Sequence, residues 1–145
     1  MVREVKKEDL NDLLHLYLDL HEKSIPEPSQ NLNDTWNTIL HDKNHHIIIN
    51  EIDGILVSSC VCVIVPNLTR NVRPYALIEN VVTHAAYRNK GYATECLTYA
   101  KKIAVENNCY KMMLLTGSKK QSTFDFYFQS GYNSTDKKAF IQWLE

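Results

Sequence analysis

The chain has 145 residues, of which 44% are hydrophobic and 23% are charged, and its formal net charge is −1. This length predicts a single domain over residues 1–145 with one sizeable core, and the charge gives no electrostatic reason to bind nucleic acid or an anionic membrane. No apolar run approaches the ~18 residues that span a bilayer, and the charged N-terminal residues do not form a signal peptide.

The first half of the chain predicts strands and helices that alternate in groups. A short strand over residues 2–5 precedes apolar residues at helical spacing, which predict a helix over roughly 8–22 that Pro26 and Pro28 end. A second helix follows over about 33–40. The pair Asp53-Gly54 lies between two β-rich runs, residues 45–52 and 55–65, and predicts a hairpin. A nine-residue loop, 66–74, comes next.

The second half predicts a strand, helix, strand, helix and strand in that order. An apolar β-branched run over 75–83 is interrupted by one carboxylate, Glu79. Apolar residues between 93 and 104 then recur at helical spacing. Residues 110–116 predict a strand buried on both faces and parallel to 75–83. A helix over 122–130 ends at Gly131, and residues 139–144 close the chain as a strand.

The four cysteines predict the compartment. Cys60, Cys62, Cys96 and Cys109 contain no C-x-x-C pair and fall in β-rich or helical runs. We therefore expect buried, reduced thiols in a cytoplasmic protein rather than disulfides, and no catalytic cysteine.

The loop between the strand over 75–83 and the following helix has a composition that suits an anion. The first four N–H groups of a helix have no internal partner, and the helix dipole places positive charge there. Gly91 lets a ligand approach the backbone, and Arg88 and Lys90 add positive charge. The loop therefore predicts a pyrophosphate site, although it matches neither G-x-x-x-x-G-K-[ST] nor G-x-G-x-x-G. The alternative is an ordinary connecting loop with a capping glycine.

Two motifs resemble a known family. Arg88-Asn89-Lys90-Gly91-Tyr92-Ala93, after Val81-Val82-Thr83, resembles the acetyl-CoA motif of the GNAT superfamily of N-acetyltransferases. Phe126-Tyr127-Phe128-Gln129-Ser130-Gly131-Tyr132 resembles its second signature. The resemblance covers essentially the whole chain. It implies an α/β fold with a mixed sheet flanked by helices, in the order β-α-α-β-β-β-α-β-α-β. It also implies transfer of an acetyl group from acetyl-CoA to a primary amine by direct attack on the thioester, without a metal.

The resemblance also implies which residues hold acetyl-CoA. The pyrophosphate would bind the loop, and the pantetheine arm would pair like an extra strand with the backbone of the preceding strand. Many family members have an asparagine before the second signature; here Ser122 is the candidate replacement. The expected cofactor-binding residues are Val81, Val82, Thr83, Arg88, Asn89, Lys90, Gly91, Tyr92, Ala93, Thr94 and Ser122.

Two residues are candidates for proton transfer. By analogy with the family, Tyr127 would donate a proton to the departing sulfur, and a phenol is protonated at neutral pH. The alternative is that Tyr127 is a core aromatic. Glu79 would act as the base, directly or through a water, because burial in an apolar strand would raise its pKa. The alternative is a structural or solvated carboxylate. His84 is more often a turn residue than a functional one.

The residues that would bind the acceptor of the acetyl group show the weakest sequence pattern. The segment Ile78-Glu79-Asn80-Val81-Val82, with Asn108-Cys109-Tyr110-Lys111 and Phe126-Tyr127, resembles glucosamine-phosphate N-acetyltransferases. Arg70 and Arg73 could receive an anionic group, so an amino sugar phosphate is one candidate acceptor. A polyamine or amino acid, or a protein N-terminus or lysine, remain alternatives. Lys119-Lys120 could reach the 3′-phosphate of CoA, and His41, His45 and His46 form only a weak metal pattern.

Two other interpretations of the sequence remain open beside that of an enzyme. One is a non-catalytic acyl-CoA-binding module that senses the cofactor. The other is a homodimer in which exposed edge strands pair, with residues 139–145 as the pairing segment.

Overall fold

The computed structural model describes residues 1–145, and its centre is a five-stranded sheet in the order β1-β2-β3-β4-β5. The strands are β1 (Val2–Glu4), β2 (His45–Ile52), β3 (Ile55–Val65), β4 (Tyr75–Thr83) and β5 (Met112–Leu114). Neighbouring strands are antiparallel except β4 and β5, which are parallel. The predicted mixed sheet is therefore confirmed.

Helices cover both faces of this sheet. They are α1 (Leu10–Leu16), α2 (Gln30–His41), α3 (Tyr92–Glu106) and α4 (Gln121–Gln129). Short 3-10 turns lie at Lys7–Asp9, Tyr17–Asp19 and Ala85–Tyr87, and a single turn at Thr69–Val72 is left-handed at Arg70 and Asn71. No helix combines the length and the apolar character that crossing a bilayer requires.

The core has two parts, one on each face of the sheet. On one face, Leu13, Leu16 and Trp36 of α1 and α2 pack on Ile47, Ile49 and Val61. On the other face, Cys96, Leu97 and Ala100 of α3 pack on Ile48, Cys60 and Ile78, and aromatic residues of α4 lie at the margin of this second part. Helices α1, α2 and α3 therefore bury the apolar faces that their spacing predicts.

Local turn chemistry confirms two predicted boundaries. Asp53 and Gly54 have φ angles of 51° and 79°, as the tight turns that match strand twist require. Gly131 has φ of 97°; its N–H donates to the Phe128 carbonyl, and the next N–H, of Tyr132, donates to the Tyr127 carbonyl. These two bonds form a Schellman motif, which ends α4.

A bulge in β4 changes which way its side chains face. Ile78 and Val82 are four residues apart and would share a face of a regular strand, yet they lie in opposite parts of the core. Asn80 has φ of 51°, and the β3–β4 register shifts beside it, between Ser59 and Val61. One extra residue therefore reverses the alternation in the second half of β4.

Two expectations about the later strands are wrong. β5 is only three residues long and half-buried, where a longer strand buried on both faces was expected. Residues 139–144 form no strand, since no strand of the sheet pairs with them, and they are exposed to solvent. The observed order is therefore the predicted one without its final strand.

Candidate active site

The second half of β4 has a free edge on its β5 side. The two strands pair only from Ala76–Met112 to Ile78–Leu114, so β4 has no neighbour there beyond Ile78. The His84 N–H donates to the Val57 carbonyl of β3 at 2.8 Å. Because N–H groups alternate sides along a strand, those of Thr83 and Val81 point towards the open edge. An extended ligand can therefore pair with this part of the strand.

Val82 faces the other way. Its side chain is buried in the core beneath α1 and α2, and its carbonyl accepts a hydrogen bond of 2.8 Å from Ser58 Oγ. By the same alternation, its N–H points towards β3. Among the three strand residues predicted to bind the cofactor, the geometry favours backbone contacts from Val81 and Thr83.

The glycine loop is shaped by left-handed backbone. The His84 Nδ1 accepts from the Ala86 N–H at 3.0 Å and so caps the 3-10 turn, which is the turn role that the sequence favoured. Asn89 and Gly91 have φ angles of 62° and 84°, and they turn the chain into α3. No atom lies within 4 Å of the point where a Cβ on Gly91 would be, so the space in front of this backbone is open.

The N-terminus of α3 is left without a cap. No side chain accepts from its first N–H groups, whereas Ser29 Oγ caps α2 by accepting from the Leu32 N–H at 3.1 Å. The N–H groups of Tyr92, Ala93 and Thr94 have no protein acceptor. The side chains of Arg88 and Lys90, in the loop before α3, are exposed and positively charged. Arg88 Nε donates to the Thr83 carbonyl at 3.4 Å, and Lys90 Nζ lies 5.4 Å from the centre of the Tyr87 ring. These free donors and cations fit a pyrophosphate.

A cavity of about 380 Å³ opens on the α1–α2 face of the sheet, next to β4. Ten of its 14 lining residues are hydrophobic, Leu13, Trp36 and Ile39 among them, and no lysine or arginine lines it. Its polar groups include Glu79 and Asn80 of the bulge. This cavity can therefore hold an apolar molecule whose polar end lies against the bulge.

Tyr17 is a lining residue that the sequence reading missed. Burial raises the pKa of this phenol to about 12, and a hydrogen bond with the Asn80 side chain partly opposes that rise. In the sequence, Tyr17 is only one member of the apolar stripe of the first helix. Its proximity to Asn80 depends on the bulge in β4, which no local sequence pattern predicted.

The two candidates for proton transfer lie on opposite faces of the sheet. Glu79 lines the cavity on the α1–α2 face and is exposed, so the burial expected for it is not found. Tyr127 is half-buried against the core beneath α3, and burial raises the pKa of its phenol. Its ring lies 5.0 Å from that of Phe126 and 6.1 Å from that of Tyr132. The open edge of β4 lies between the two faces.

Ser122 lies exposed in the first turn of α4. Its neighbour Gln121 donates to Asp125 Oδ1 at 2.8 Å, and Ser118 Oγ accepts from the Lys120 N–H at 3.2 Å. Ser122 makes no hydrogen bond of its own through its hydroxyl, which therefore remains available to a ligand. Lys119 and Lys120 are exposed beside it.

The two arginines of the loop before β4 make their contacts away from the glycine loop. Arg73 donates to the carbonyls of Asn108 and Cys109 at 3.2 and 3.1 Å, and the guanidinium of Arg70 lies 5.3 Å from the centre of the Tyr110 ring. These contacts are at the start of β4, and the glycine loop follows its end. Neither guanidinium therefore lies at the glycine loop, and the expectation that Arg70 or Arg73 receives an anionic group of the acceptor stays a prediction.

The histidines and cysteines form no shared centre. His41 Nδ1 bonds the Asn37 carbonyl, His46 Nδ1 lies 2.6 Å from Glu4 Oε1, and His45 lines the cavity. Cys60, Cys62 and Cys96 are buried, and burial raises the pKa of each thiol, so they remain protonated.

Comparison with known proteins identifies the family. A model of the acetyltransferase (GNAT) family matches residues 10–132. The solved structure of a protein from Agrobacterium tumefaciens str. C58, provisionally named an acetyltransferase, matches with a TM-score of 0.90. Its sequence is 34% identical to this chain, and the match covers 99% of each chain. A transcriptional regulator from Bacillus halodurans C-125 shares the fold at 24% identity and a TM-score of 0.87, covering 99% of each chain. Glucosamine-6-phosphate N-acetyltransferase from Arabidopsis thaliana shares it at 18% identity and 0.86, covering 100% of this chain and 98% of that one. The chain belongs to the acetyltransferase (GNAT) family.

Proposed function

We propose that this protein is an N-acetyltransferase that moves an acetyl group from acetyl-CoA to the primary amine of a small molecule with an apolar body. The observation that carries the proposal is the junction of two open features. The free edge of β4, with the N–H groups of Val81 and Thr83, leads directly to the uncapped N-terminus of α3. A phosphate-bearing, strand-like molecule matches both.

The chain's own groups account for the donor side. The N–H groups of Tyr92, Ala93 and Thr94, with Arg88 and Lys90, hold the pyrophosphate. The β4 N–H groups hold the arm and polarise the thioester oxygen. Bound acetyl-CoA supplies the activated acyl group. Asn89 and Gly91 contribute the left-handed turn, and the Ser122 hydroxyl can accept or donate where the arm passes α4.

Proton transfer is divided between the two faces. The raised pKa of Tyr127 keeps its phenol protonated at neutral pH, so it can donate to the departing thiolate. Glu79, at the mouth of the cavity, is in contact with solvent and can take the proton of the incoming ammonium through water. The neutral amine then attacks the thioester carbon and the C–S bond breaks. The nitrogen loses its second proton as the amide forms, and Tyr127 supplies a proton to the departing thiolate and regains one from solvent.

The cavity favours one class of acceptor. Its walls are mostly apolar, and it contains no cation that could balance a phosphate. Burying an unpaired phosphate is costly, whereas an alkyl or aryl group gains from transfer out of water. We therefore favour an aryl or alkyl amine over the amino sugar phosphate. A polyamine, an amino acid, and a protein N-terminus or lysine become outcomes of the test.

The remaining parts of the proposal are simpler. The protein would act as one domain, without a metal, in the cytoplasm, where its buried thiols stay reduced. Nucleic acid and membranes play no part in it. A non-catalytic acyl-CoA-binding module would use the same donor site but would have no use for Tyr127 as an acid.

A matched pair of variants tests the enzyme against that module. Tyr127 and Tyr132 are neighbouring half-buried phenols with raised pKa values, and each can lose its hydroxyl as phenylalanine. We expect Tyr127→Phe to lower kcat by about 10²- to 10⁴-fold with an unchanged Kd for CoA, and Tyr132→Phe to change neither strongly. Equal kcat values for both variants would refute the role given to Tyr127.

The acceptor class has its own test. Acetylation of phenylethylamine, spermidine and glucosamine 6-phosphate is compared at equal concentration by thiol release. We expect the largest kcat/KM for phenylethylamine. A preference for glucosamine 6-phosphate would contradict the reading of the cavity while leaving the donor site intact.

A further inference from the structure

The cavity on the α1–α2 face has a second polar end, away from the bulge in β4. Its lining includes His45, the first residue of β2, whose side chain is half-buried. Neither ring nitrogen of His45 has a hydrogen-bond partner in the protein, whereas the next residue, His46, bonds Glu4 through Nδ1. An imidazole that lines a mostly apolar cavity without a partner is a group that a bound ligand can satisfy.

The register of the sheet sets the distance between His45 and the bulge. His45 pairs with Val63 of β3, and Glu79 pairs with Val61, two residues away on the same strand. The Cα atoms of His45 and Glu79 are therefore two strands and two residues apart, which is about 12 Å at the usual spacings. A hydrogen bond of about 2.8 Å at each end leaves roughly 6 Å between them. One aromatic ring with a short alkyl chain fills that length.

The other side chains of the lining leave His45 as the free polar group at this end. Trp36 has its only polar atom engaged, since its Nε1 donates to a backbone carbonyl at 3.1 Å. Tyr17 lies at the bulge and shares a hydrogen bond with the Asn80 side chain. Thr35 of α2 is exposed to solvent. The far end of a ligand whose amine lies at the bulge therefore meets the imidazole of His45.

The charge state of His45 selects among polar groups. Burial lowers the pKa of its imidazole below the usual 6.5, although Asp42 partly opposes this, so the ring is neutral at pH 7. A neutral imidazole offers one N–H donor and one acceptor nitrogen, and a hydroxyl group can complement either of them. A carboxylate or phosphate would need a cation, which the lining lacks. A second ammonium group would need a carboxylate, and the only one in the lining, Glu79, lies at the other end.

We propose that His45 is a specificity-determining residue for an acceptor that carries a hydroxyl group at the end opposite its amine, as a hydroxyphenyl-alkylamine does. This inference rests on the proposed function, which places the amine at Glu79. The aromatic ring then lies against Trp36, and the hydroxyl forms a hydrogen bond with the imidazole. Phenylethylamine fits the same walls but leaves His45 without a partner, whereas tyramine supplies one.

Calorimetric titration of the protein saturated with CoA compares tyramine with phenylethylamine, which differ by one hydroxyl group. CoA carries no acetyl group, so this binding requires no turnover. We expect the wild type to bind tyramine about 3-fold to 10-fold more tightly, which is the effect of one hydrogen bond. His45→Leu should reverse the preference, because the hydroxyl then loses water without gaining a partner. His45→Gln can still donate and accept, and it should keep the preference for tyramine.

The matched control is His41→Leu, because His41 is exposed and bonds the Asn37 carbonyl of its own helix. This variant should keep the wild-type ratio of the two Kd values. The proposal is overturned if the wild type does not prefer tyramine, if His45→Leu keeps the wild-type ratio, or if neither amine binds.

Thiol release from acetyl-CoA separates this failure from failure of the proposed function. The expected preference for tyramine in binding, with no amine-dependent thiol release, would refute catalysis and leave the role of His45 standing. Amine-dependent release with the same ratio of Kd values in the wild type and His45→Leu would refute the role of His45 alone.

Discussion

Gly91 offers the sharpest test of the donor site, because the chain contains a matched control. Gly91 and Gly131 have φ angles of 84° and 97°, and neither has an atom within 4 Å of the point where a Cβ would lie. Glutamate at either position should therefore meet the same backbone strain and no collision. Gly91 begins α3 at the proposed pyrophosphate site, whereas Gly131 follows α4.

The expected magnitudes differ for stability and for binding. Left-handed backbone costs a side-chain-bearing residue about 1–2 kcal/mol. At roughly 2–4 °C per kcal/mol for a domain near this size, both variants should lose about 2–8 °C in Tm. A carboxylate about 4 Å from a phosphate adds roughly 1–4 kcal/mol of repulsion, depending on screening. Gly91→Glu should therefore weaken CoA binding by about 5-fold to 1,000-fold, and Gly131→Glu should not.

Calorimetric titration with CoA measures this directly, and thermal unfolding with acetyl-CoA supports it. Ligand at 100 times its Kd stabilises the folded wild type by about 2.7 kcal/mol. The Gly131→Glu variant should keep that stabilisation, whereas Gly91→Glu should keep about 1.8 kcal/mol of it for a 5-fold loss of affinity and less than about 0.1 kcal/mol for a 1,000-fold loss. Equal CoA affinities in the two variants would refute the assignment of the loop.

Three further predictions concern the pH response, the core and the base. The Arg3 guanidinium, 2.7 Å from Asp9 Oδ2, lowers the pKa of that buried carboxyl below its ordinary 3.8. Its stabilisation is thus present above that value and lost as the pH falls through the lower folded pKa. Because Arg3 keeps its ion pair with Glu51 at 2.8 Å, Asp9→Asn should cost about 1–3 kcal/mol at pH 7, and denaturant titrations should show the gap to wild type closing below pH 4. Leu13→Ala should cost about 2–5 kcal/mol in the same assay, because Leu13 is buried in the core beneath α1; a loss below 1 kcal/mol would contradict that packing. Glu79→Gln should lower kcat/KM for the amine by about 10-fold to 100-fold with the Kd for CoA unchanged; an unaltered kcat/KM would remove Glu79 as the base.

Much of the fold could be predicted because its signals are local. The Asp53-Gly54 turn, the glycine loop before α3 and the glycine after α4 each depend on the backbone freedom of a few adjacent residues. Helical spacing likewise identified the buried face of α3 before any packing was known.

The features that were missed depend on distant partners. The bulge at Asn80 arises from the register of β4 against β3, and it places Tyr17 beside the site. Arg73 donates hydrogen bonds to the carbonyls of two residues that lie 35 and 36 positions later in the sequence. Residues 139–144 have the composition of a strand, but a strand also needs a paired neighbour, and no strand of the sheet pairs with them.

Amine-dependent release of CoA thiol tests the central claim most directly. Wild-type protein is mixed with acetyl-CoA, with and without phenylethylamine, and the acetylated product is identified by mass. The proposed chemistry predicts thiol release that depends on the amine, one thiol for each acetylated amine, and a slow background without it. Tight CoA binding with no amine-dependent release from any amine tested would contradict catalysis and favour a module that only senses the cofactor.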